Sequence, residues 1–311
     1  MRIVVVDPSR TVLKIVTRLL EEGHHEIHPF TDGLAALEHV KLNPNIDALI
    51  TSAELGSMSG MDLCKKIRLL SSNSRQSIYI VLMSANYDQR KLIEALDKGA
   101  DDFIGKPPAV EELYARLRAA ERLGAMQREL VRLATTDPLS GLLNRRAFFE
   151  RAQEACACAD GSAVISAIMF DIDYFKRIND DFGHGTGDDV IRAVANEAIG
   201  EKGIVGRLGG EEFAIVLQGR PLAAAVEAAE RLRLKFAELR LATLGKGVRF
   251  TCSFGVSEWR DGESIDELLK RADVALYSAK NTGRNRVVAD DAALTAVGHE
   301  RTTSVVRLAA R

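Results

Sequence analysis

The chain has 311 residues, a formal net charge of −2, 46% hydrophobic residues and 28% charged residues, a composition typical of globular proteins with room for two domains. The small net charge argues against a general nucleic-acid or membrane-surface binder, and no apolar run approaches the roughly 18 residues that a membrane span needs. We therefore expect no nucleic-acid or membrane partner. The four cysteines are too scattered for a disulfide framework, so we expect reduced thiols and a cytoplasmic location.

The first 120 or so residues alternate short apolar runs with amphipathic stretches. This alternation predicts a doubly wound (flavodoxin-like) α/β domain with a parallel sheet, whose strands point their carboxyl ends at the functional crevice. The predicted strands are Ile3–Val6, Ala48–Thr51, Ile78–Met83 and Phe103–Ile104, and the predicted helices are Thr11–Glu22, Gly33–Leu42, Gly60–Leu70 and Gln89–Lys98.

A long proline-free stretch follows, from about 109 to 134, and is predicted to be one helix. Its apolar residues recur at spacings of four and three: Ala119, Leu123, Met126, Leu130 and Leu133. With its charged flanks, this spacing is typical of a short coiled-coil seam. It predicts a dimer-forming stalk over 123–134, between a domain at 1–122 and another at 135–290. The alternative is a helix that packs on its own domain.

The remaining pattern predicts a second domain with a mixed α/β layer. Its predicted helices are Arg145–Glu154, Tyr174–Asp181, Gly187–Ile199, Leu222–Leu239 and Ile265–Asn281, and its strands are Val164–Phe170, Val248–Val256 and a pair that flanks Gly209-Gly210. The polar tail at 291–311, rich in small residues, is predicted to be disordered.

Acidic residues stand at two strand ends in this second domain. A glycine pair, favoured in tight hairpin turns, leads directly into two carboxylates over Gly209–Glu212. Taken alone, this segment would be a solvated turn. However, a buried strand also runs straight into Asp171 and Asp173, which share one side of an extended chain because strands have period two. Carboxylates at strand ends supply the oxygen ligands that Mg²⁺ prefers, together with substrate phosphates.

Five separated motifs then carry a family resemblance. They are RLGGEEF at Arg207–Phe213, DPLSGLLNRR at Asp137–Arg146, FDIDYFKRIND at Phe170–Asp180, GHGTGD at Gly183–Asp188 and AKNTGRNR at Ala279–Arg286. The segment from about 137 to 288 resembles the GGDEF family of diguanylate cyclases, which join two GTP molecules into cyclic di-GMP. Ser140 replaces the threonine that is usual in the family and keeps its hydroxyl group.

The resemblance implies a set of metal-binding and catalytic residues. Asp171, the Ile172 carbonyl and Glu212 are expected to hold Mg²⁺ (or Mn²⁺). Glu211 is expected to bind metal as well and to help deprotonate the attacking ribose 3′-hydroxyl. Such a site agrees with what nucleotidyl transfer requires, namely an activated hydroxyl and charge neutralisation on the triphosphate.

The resemblance also implies how GTP is bound. The residues expected to contact phosphates are Phe175, Lys176, Lys280 and Arg284, and those expected to contact the guanine edge are Asn179 and Asp188. The carboxylate of Asp188 can accept hydrogen bonds from both N1–H and the 2-amino group of guanine, whereas adenine offers neither donor there. A subgroup of the family that also uses ATP has serine at this position. We therefore expect GTP to be the only substrate.

The first 120 residues are similar to the receiver domains of two-component response regulators, which bind Mg²⁺ and accept a phosphoryl group on an aspartate. Asp7 keeps one acidic position, but Pro8 stands where its partner acid would be. Ser52 occupies the phosphoacceptor position, while Ser84 and Lys106 are the expected hydroxyl and lysine. The resemblance therefore implies a receiver scaffold that does not switch by phosphorylation.

Three functions remain open at this point. The leading hypothesis is an active cyclase that forms a homodimer through the receiver domain and stalk, with a possible protein partner or ligand at the receiver crevice. The alternatives are a catalytically silent GTP-binding scaffold and a phosphorelay output. Many resembling cyclases also carry an inhibitory product site, Arg-x-x-Asp, five residues before the glycine pair. Here those positions are Gly200 and Gly203, and Glu201 adds a negative charge, so we expect no such site.

Overall fold

The computed structural model describes residues 1–72, 77–85, 88–157, 164–243 and 246–290. They divide into two compact units, with the boundary between Arg132 and Leu133. The predicted disorder of 291–311 falls outside the described residues, as does Cys158. None of the helices in the described part of the chain combines the length and apolar composition needed to cross a membrane.

The first unit is a five-stranded parallel sheet with helices between the strands, as the sequence predicts. Its strand order is β2-β1-β3-β4-β5. The strands are β1 Arg2–Val6, β2 Glu26–Phe30, β3 Ala48–Ser52, β4 Tyr79–Ser84 and β5 Asp102–Gly105, and the helices are α1 Arg10–Glu22, α2 Gly33–Leu42, α3 Gly60–Ser72, α4 Gln89–Asp97 and α5 Val110–Thr135.

The sequence analysis missed one strand of this sheet, β2. Its residues Glu26–Phe30 carry no apolar run and include Pro29, which lacks a donor. β2 lies at the edge of the sheet and pairs only with β1. An edge strand tolerates both proline and polar side chains because one of its sides faces away from the ladder.

Helix α5 is continuous from Val110 to Thr135, so the predicted long helix is confirmed. Its first half packs against the sheet of the first unit through the buried side chains of Leu113 and Leu117. Beyond Ala120 the apolar seam is exposed, with Leu130 at 66%. The interpretation of a helix packed on its own domain therefore holds for the first half of α5, while the second half leaves the seam uncovered within this chain.

The second unit is built on a six-stranded mixed sheet of order β13-β12-β7-β9-β8-β6. Its strands are β6 Leu143–Asn144, β7 Ile165–Ile172, β8 Ile204–Gly209, β9 Glu212–Gln218, β12 Cys252–Glu258 and β13 Val287–Ala289, with a separate antiparallel pair, β10 Leu241–Thr243 and β11 Lys246–Val248. The helices are α6 Arg145–Ala157, α7 Phe175–Phe182, α8 His184–Ala198, α9 Leu222–Glu238 and α10 Ile265–Asn281.

All eight residues of the central strand β7 are buried, because helices cover both faces of the sheet. Even-numbered residues such as Phe170 pack with α8 and α9, where Phe170 stacks between Phe213 and Phe254 at centroid distances of 5.2 and 5.1 Å. Odd-numbered residues such as Met169 pack with α6 and α10. This alternation directs the odd-numbered residues at the end of β7 toward the α10 side.

The prediction of a single strand over Val248–Val256 is wrong in one respect. The structure divides it into β11, which ends at Val248, and β12, which begins at Cys252. Thr251 lies in the gap, where its carbonyl accepts a hydrogen bond from the Asp173 amide at 2.9 Å. The interruption thus places Thr251 beside the end of β7.

Three cysteines, Cys64, Cys156 and Cys252, are free thiols. Burial raises the pKa of the Cys64 thiol to about 12 and that of Cys252 well above its usual value. A thiol reacts as its thiolate, so these two groups are packing residues rather than nucleophiles.

Candidate active site

Three carboxylates lie near the end of β7 and the adjacent start of β9, beside the turn of the β8–β9 hairpin. The antiparallel register sets Asp171 directly opposite Glu212, and Glu211 precedes Glu212 at the glycine turn. The Asp171 carboxylate is 7% exposed, whereas Glu212 is exposed. The hairpin predicted from the glycine pair is confirmed, and it brings together acidic residues that lie 40 positions apart in the sequence.

A backbone oxygen joins this group. The Ile172 amide points at the Glu211 carbonyl across a long contact of 3.4 Å. The N–H and C=O of one strand residue point to the same side in an antiparallel ladder. The Ile172 carbonyl is therefore directed toward the hairpin, on the side where Glu211 and Glu212 lie.

A lysine balances part of this negative charge. The Nζ atom of Lys280, near the end of α10, lies 2.9 Å from Oδ2 of Asp171. Helix α10 can approach this closely because Gly255 of β12 has no side chain: a Cβ atom there would lie 2.0 Å from the Ala272 carbonyl oxygen. Gly255 therefore helps to bring Lys280 within reach of the end of β7.

The electrostatics of the site favour binding of a cation. Burial raises the pKa of Asp171 to about 6; Lys280 opposes this shift, and the charges of Glu211 and Glu212 add to it. Burial also raises the pKa of Glu211, with Lys280 opposing and Glu212 adding. Both carboxyls are thus held in a protein environment where negative charge is costly, which a bound cation would relieve.

The donor set fits a hard cation such as Mg²⁺, since it consists of carboxylate and carbonyl oxygens. The site is nevertheless not preassembled: among the described residues, no three His, Cys, Asp or Glu side chains are already grouped as metal ligands. Because the Lys280 ammonium group already pairs with the Asp171 carboxylate, a metal ion would compete with Lys280 for that carboxylate.

An arginine fixes the hairpin tip. Arg207 donates to the Gly210 carbonyl through Nε at 2.9 Å and Nη2 at 2.7 Å, and its Nη1 donates to Asp137 Oδ1 at 2.9 Å. The same Asp137 oxygen accepts from the Ser140 amide and from Ser140 Oγ, at 2.8 and 2.7 Å. Ser140 therefore uses the hydroxyl that the family's usual threonine also has, and the pair Asp137–Arg207 orients the turn that carries Glu211.

Beside the carboxylates, α7 and α8 form the other part of the site. The Phe175 ring is buried in the core, so Phe175 can meet a phosphate only through its backbone amide at the start of α7. Lys176 is exposed. The Asn179 side chain lies against α8 so tightly that a Cβ on Gly187 would be 2.0 Å from its oxygen, which brings Asn179 close to the next residue, Asp188.

Arg284 lies beyond the end of α10, on an aromatic ring. Its guanidinium carbon is 4.4 Å from the centroid of the Tyr174 ring, and Nη1 is 3.2 Å from the Tyr174 hydroxyl oxygen. Tyr174 immediately precedes α7, and its backbone is left-handed, with φ of 57°. Lys280 therefore contacts Asp171 directly, whereas Arg284 rests on the residue that precedes α7.

The segment corresponding to the inhibitory product site differs from the sequence expectation in one point. Gly200 and Gly203 offer no side chains, as expected. However, the Glu201 carboxylate is not a free repelling charge, because Arg220 Nη1 lies 3.3 Å away and Arg231 Nη2 lies 3.2 Å away. The expected repulsion by Glu201 is therefore largely neutralised within the protein.

The first unit contains a second acidic cleft, of about 460 Å³, at the carboxyl ends of β1 and β3. Asp7 is fully buried and forms an ion pair with Lys106, whose Nζ also donates to Ser52 Oγ at 2.6 Å. The Ser52 hydroxyl donates in turn to the Glu54 carbonyl at 2.8 Å. Ser84 is buried at the end of β4, and its carbonyl accepts from the Lys106 amide.

Family comparisons match both units. The response regulator receiver family model matches residues 3–118, and the GGDEF diguanylate cyclase family model matches residues 134–286. The chain carries a receiver domain followed by a GGDEF domain. The two matches correspond to the two predicted resemblances and to the two compact units.

Two named relatives match this chain over different lengths. The response regulator PleD of Caulobacter vibrioides is 30% identical over 301 residues, which cover 92% of this chain and 65% of PleD. The diguanylate cyclase DgcM of Escherichia coli is 42% identical over 172 residues, or 53% of this chain and 40% of DgcM. This chain therefore spans less than two thirds of either relative's length.

A solved structure resembles more than half of this chain. The coiled coil and GGDEF domain of DgcB from Caulobacter crescentus, in complex with c-di-GMP, superposes with a TM-score of 0.52 and 37% identity. The match covers 57% of this chain and 98% of that one.

The GGDEF domain brings Asp171, Glu211 and Lys280 together. The sequence analysis did not identify the neighbouring residues that hold the hairpin and Arg284 in place. Asp137 and Arg207 were quoted within motifs but received no role, although an acid and an arginine in two separate motifs are a signal for pairing. Tyr174 was also overlooked, since nothing local indicates that it carries Arg284 on its ring.

Proposed function

We propose that this chain is a diguanylate cyclase, which condenses two GTP molecules into cyclic di-GMP and releases two pyrophosphates. The observation that carries the proposal is the set of carboxylates, Asp171, Glu211 and Glu212, held at one sheet end beside Lys280. The relatives are named as diguanylate cyclases or as a response regulator. We propose the diguanylate cyclase activity for this chain as well.

The metal site in this proposal consists of Asp171, the Ile172 carbonyl, Glu211 and Glu212, with Mg²⁺ or Mn²⁺ as the ion. When bound, the ion would neutralise the triphosphate and lower the pKa of the ribose 3′-hydroxyl. Lys280, displaced from Asp171, is free to contact a phosphate of the incoming nucleotide.

The remaining phosphate contacts come from the backbone amide of Phe175 and the side chains of Lys176 and Arg284. The start of α7 has no side-chain cap, so its first amides are available to an anion. Asn179 and Asp188 recognise the guanine edge, and the Asp188 carboxylate makes GTP the only substrate. ATP would leave that carboxylate without its two donors.

In the reaction, the 3′-oxygen of one GTP attacks the α-phosphorus of the other, and the bond to pyrophosphate breaks. Glu211 takes the proton from the 3′-hydroxyl and passes it to solvent. The same step repeated with the roles exchanged closes the two-fold product.

Two GGDEF domains must face each other to make this product, so we propose a homodimer formed through the receiver domain and the stalk. The exposed seam of α5, including Leu123, Met126 and Leu130, supports the proposal. Leu130→Asp is expected to weaken dimerisation at least about tenfold, because it places a charge in a coiled-coil seam. Sedimentation equilibrium measures this, and Leu42→Asp, at another exposed leucine (79%), is the matched control. An unchanged dimer in Leu130→Asp would exclude the stalk.

The receiver domain, in this account, does not respond to phosphorylation. Lys106 already bridges Asp7 and Ser52, and Ser52 has no carboxylate to accept a phosphoryl group. We propose that it serves as a dimerisation module and that its cleft is the place for a protein partner or ligand. The chain is assigned to the cytoplasm, where its buried thiols stay reduced and GTP is present.

Product inhibition through the segment at Gly200 and Gly203 is proposed to be weak. Neither position supplies the guanidinium or carboxylate that would grip a nucleotide, and Arg220 and Arg231 are paired with Glu201. Progress curves that stall at low micromolar product while GTP is abundant would contradict this.

Mass analysis of the products tests the proposed function. The purified protein with Mg²⁺ and GTP is expected to yield cyclic di-GMP, and with Mg²⁺ and ATP to yield no cyclic dinucleotide. GTP that is bound but returned unchanged would favour the other candidate, a silent scaffold. That alternative is weakened because both guanine contacts and all three carboxylates are present.

A further inference from the structure

Asp173 is the second aspartate after strand β7, and it has no role in the proposed metal site. Both aspartates point to the α10 side of the sheet, as the strand period predicts. Their partners differ, however: Asp171 pairs with Lys280, whereas Asp173 is 4% exposed and makes three hydrogen bonds of its own. Its position suggests a different task from that of Asp171.

The partners of Asp173 come from β12, from the gap just before β12, and from the turn after α10. Oδ1 accepts from the Ser253 hydroxyl at 2.7 Å, and Oδ2 accepts from the Thr251 hydroxyl at 2.7 Å. Oδ2 also accepts from the backbone amide of Asn285 at 3.0 Å. The first two bonds fix the carboxylate on the sheet, and the third extends from the sheet to the turn that follows α10.

This turn has an unusual backbone. Arg284 and Asn285 are consecutive non-glycine residues with positive φ, 58° and 46°, a conformation that side chains rarely adopt without outside support. Arg284 is tied to the end of α10 by its amide, which donates to the Ala279 carbonyl at 3.0 Å. The Asp173 carboxylate supplies the corresponding support on the other side, at the Asn285 amide.

The turn determines where the Arg284 side chain goes. Its guanidinium stacks on Tyr174, the residue next to Asp173, and donates to the Tyr174 hydroxyl at 3.2 Å. Asp173 thus bonds the backbone that carries Arg284 and immediately precedes the ring on which Arg284 rests. Arginine in such a stacked, preordered position loses less conformational freedom when it meets a phosphate.

We propose that Asp173 is a positioning residue for the triphosphate: it holds the Gly283–Asn285 turn so that Arg284 is presented to the substrate phosphates. The inference rests on the proposed function, because it needs GTP to bind at this site. It assigns no metal ligand to Asp173 and no contact between Asp173 and the nucleotide. Its effect should therefore appear in phosphate binding and pass entirely through Arg284.

The test measures binding of two ligands to the 311-residue chain with Mg²⁺ by calorimetry. One is 3′-deoxyguanosine triphosphate, which lacks the hydroxyl needed for reaction, and the other is 3′-deoxyguanosine, which lacks the phosphates. Asp173→Asn keeps one acceptor oxygen but loses the negative charge that strengthens the bond to the Asn285 amide, so it is expected to weaken triphosphate binding about fivefold and to leave nucleoside binding unchanged. Ser253→Ala, which removes a hydroxyl from Oδ1 but spares the Asn285 bond, is the matched control and should retain triphosphate affinity.

A double variant separates positioning from general structural support. In an Arg284→Ala background, Asp173→Asn should cost no further triphosphate affinity, because its effect acts through Arg284. If Asp173→Asn does not fold, Tyr174→Leu replaces it, since Tyr174 is 61% exposed, and it should weaken triphosphate binding without affecting the nucleoside.

Three outcomes would overturn the inference: an unchanged triphosphate affinity in folded Asp173→Asn, or in Tyr174→Leu where that variant replaces it; equal losses for triphosphate and nucleoside; or an additive loss in the double variant. The wild-type protein is measured in parallel. If it fails to bind the triphosphate, the proposed function itself fails, whereas normal wild-type binding with unaffected variants refutes only the role of Asp173.

Discussion

Each domain has a buried aspartate near the end of an interior strand that is paired with a lysine, yet the two sites have different surroundings. In the receiver domain, Lys106 pairs with Asp7 and also reaches Ser52, so the lysine is shared between two groups. In the GGDEF domain, Lys280 pairs with Asp171, while Glu211 and Glu212 add two more negative charges. The comparison indicates that the charges around an aspartate–lysine pair, rather than the pair itself, determine how strongly a site attracts a cation, because Glu211 and Glu212 both raise the pKa of Asp171.

The largest expected effect is the removal of one of those additional carboxylates. Glu212→Gln or Glu211→Gln should lower cyclic di-GMP formation at least about 100-fold, because the metal loses an anionic ligand whose charge stabilisation is worth several kcal/mol. Folding should persist, since Glu212 is exposed. Initial rates and thermal unfolding measure the two effects.

The control for this prediction is Glu227→Gln, which neutralises an exposed carboxylate on α9. Its turnover should match that of the unaltered protein. Full activity in Glu212→Gln would remove the metal assignment and, with it, the proposed difference between the two sites.

A smaller effect is expected from the support of the hairpin. Arg207→Lys keeps the charge but loses the two-nitrogen contact with the Gly210 carbonyl, so turnover should fall about tenfold through misplacement of Glu211. Arg192→Lys, at an arginine that pairs with Asp189 on the surface of α8, serves as the control. If steady-state kinetics show no change for Arg207→Lys, the hairpin does not depend on this contact.

The raised pKa of Asp171 predicts a pH dependence for metal binding. Below pH 6 the carboxyl is protonated and must lose that proton before it binds a cation. The apparent affinity for Mn²⁺ should therefore be about tenfold weaker at pH 5 than at pH 7. The free energy of unfolding of the metal-free protein should change with pH in the opposite direction. Because its pKa is raised on folding, Asp171 stabilises the folded state at low pH, and this contribution is lost as the pH rises through 6.

Electron paramagnetic resonance of free Mn²⁺ measures this affinity at each pH. Asp189→Asn, at an exposed pair on α8, should keep the full pH dependence, whereas Asp171→Asn should abolish it along with most of the binding. An affinity that does not change between pH 5 and pH 7 would show that Asp171 is not a ligand.

Much of the architecture could be predicted from the sequence because its signals are local. Helices such as α10, predicted at Ile265–Asn281, show clear apolar periodicity, and the structure gives the same bounds. Strand β2 was missed because an edge strand needs no apolar run. The break before β12 was missed because Thr251 leaves the ladder for a reason located elsewhere in the chain, namely the hydrogen bonds to Asp173.

The residue types of the site could be predicted from the sequence, but the hydrogen-bond partners of those residues could not. Motifs identify carboxylates, lysines and arginines, since nucleotidyl transfer restricts the residue types. They do not show that Arg207 reaches back 70 residues to Asp137, or that Asp173 reaches forward to Asn285. Such pairs depend on strand register and helix placement, which no local spacing encodes.

One reaction mixture compares the two sites most directly. The 311-residue chain is incubated with Mg²⁺, GTP and acetyl phosphate, and both the nucleotides and the intact protein are analysed by mass. The account predicts that cyclic di-GMP forms while the protein keeps its original mass, since the GGDEF site has its carboxylates and Ser52 replaces the phosphoacceptor. A protein that gains a phosphoryl group, or a mixture in which GTP remains unconverted, would contradict it.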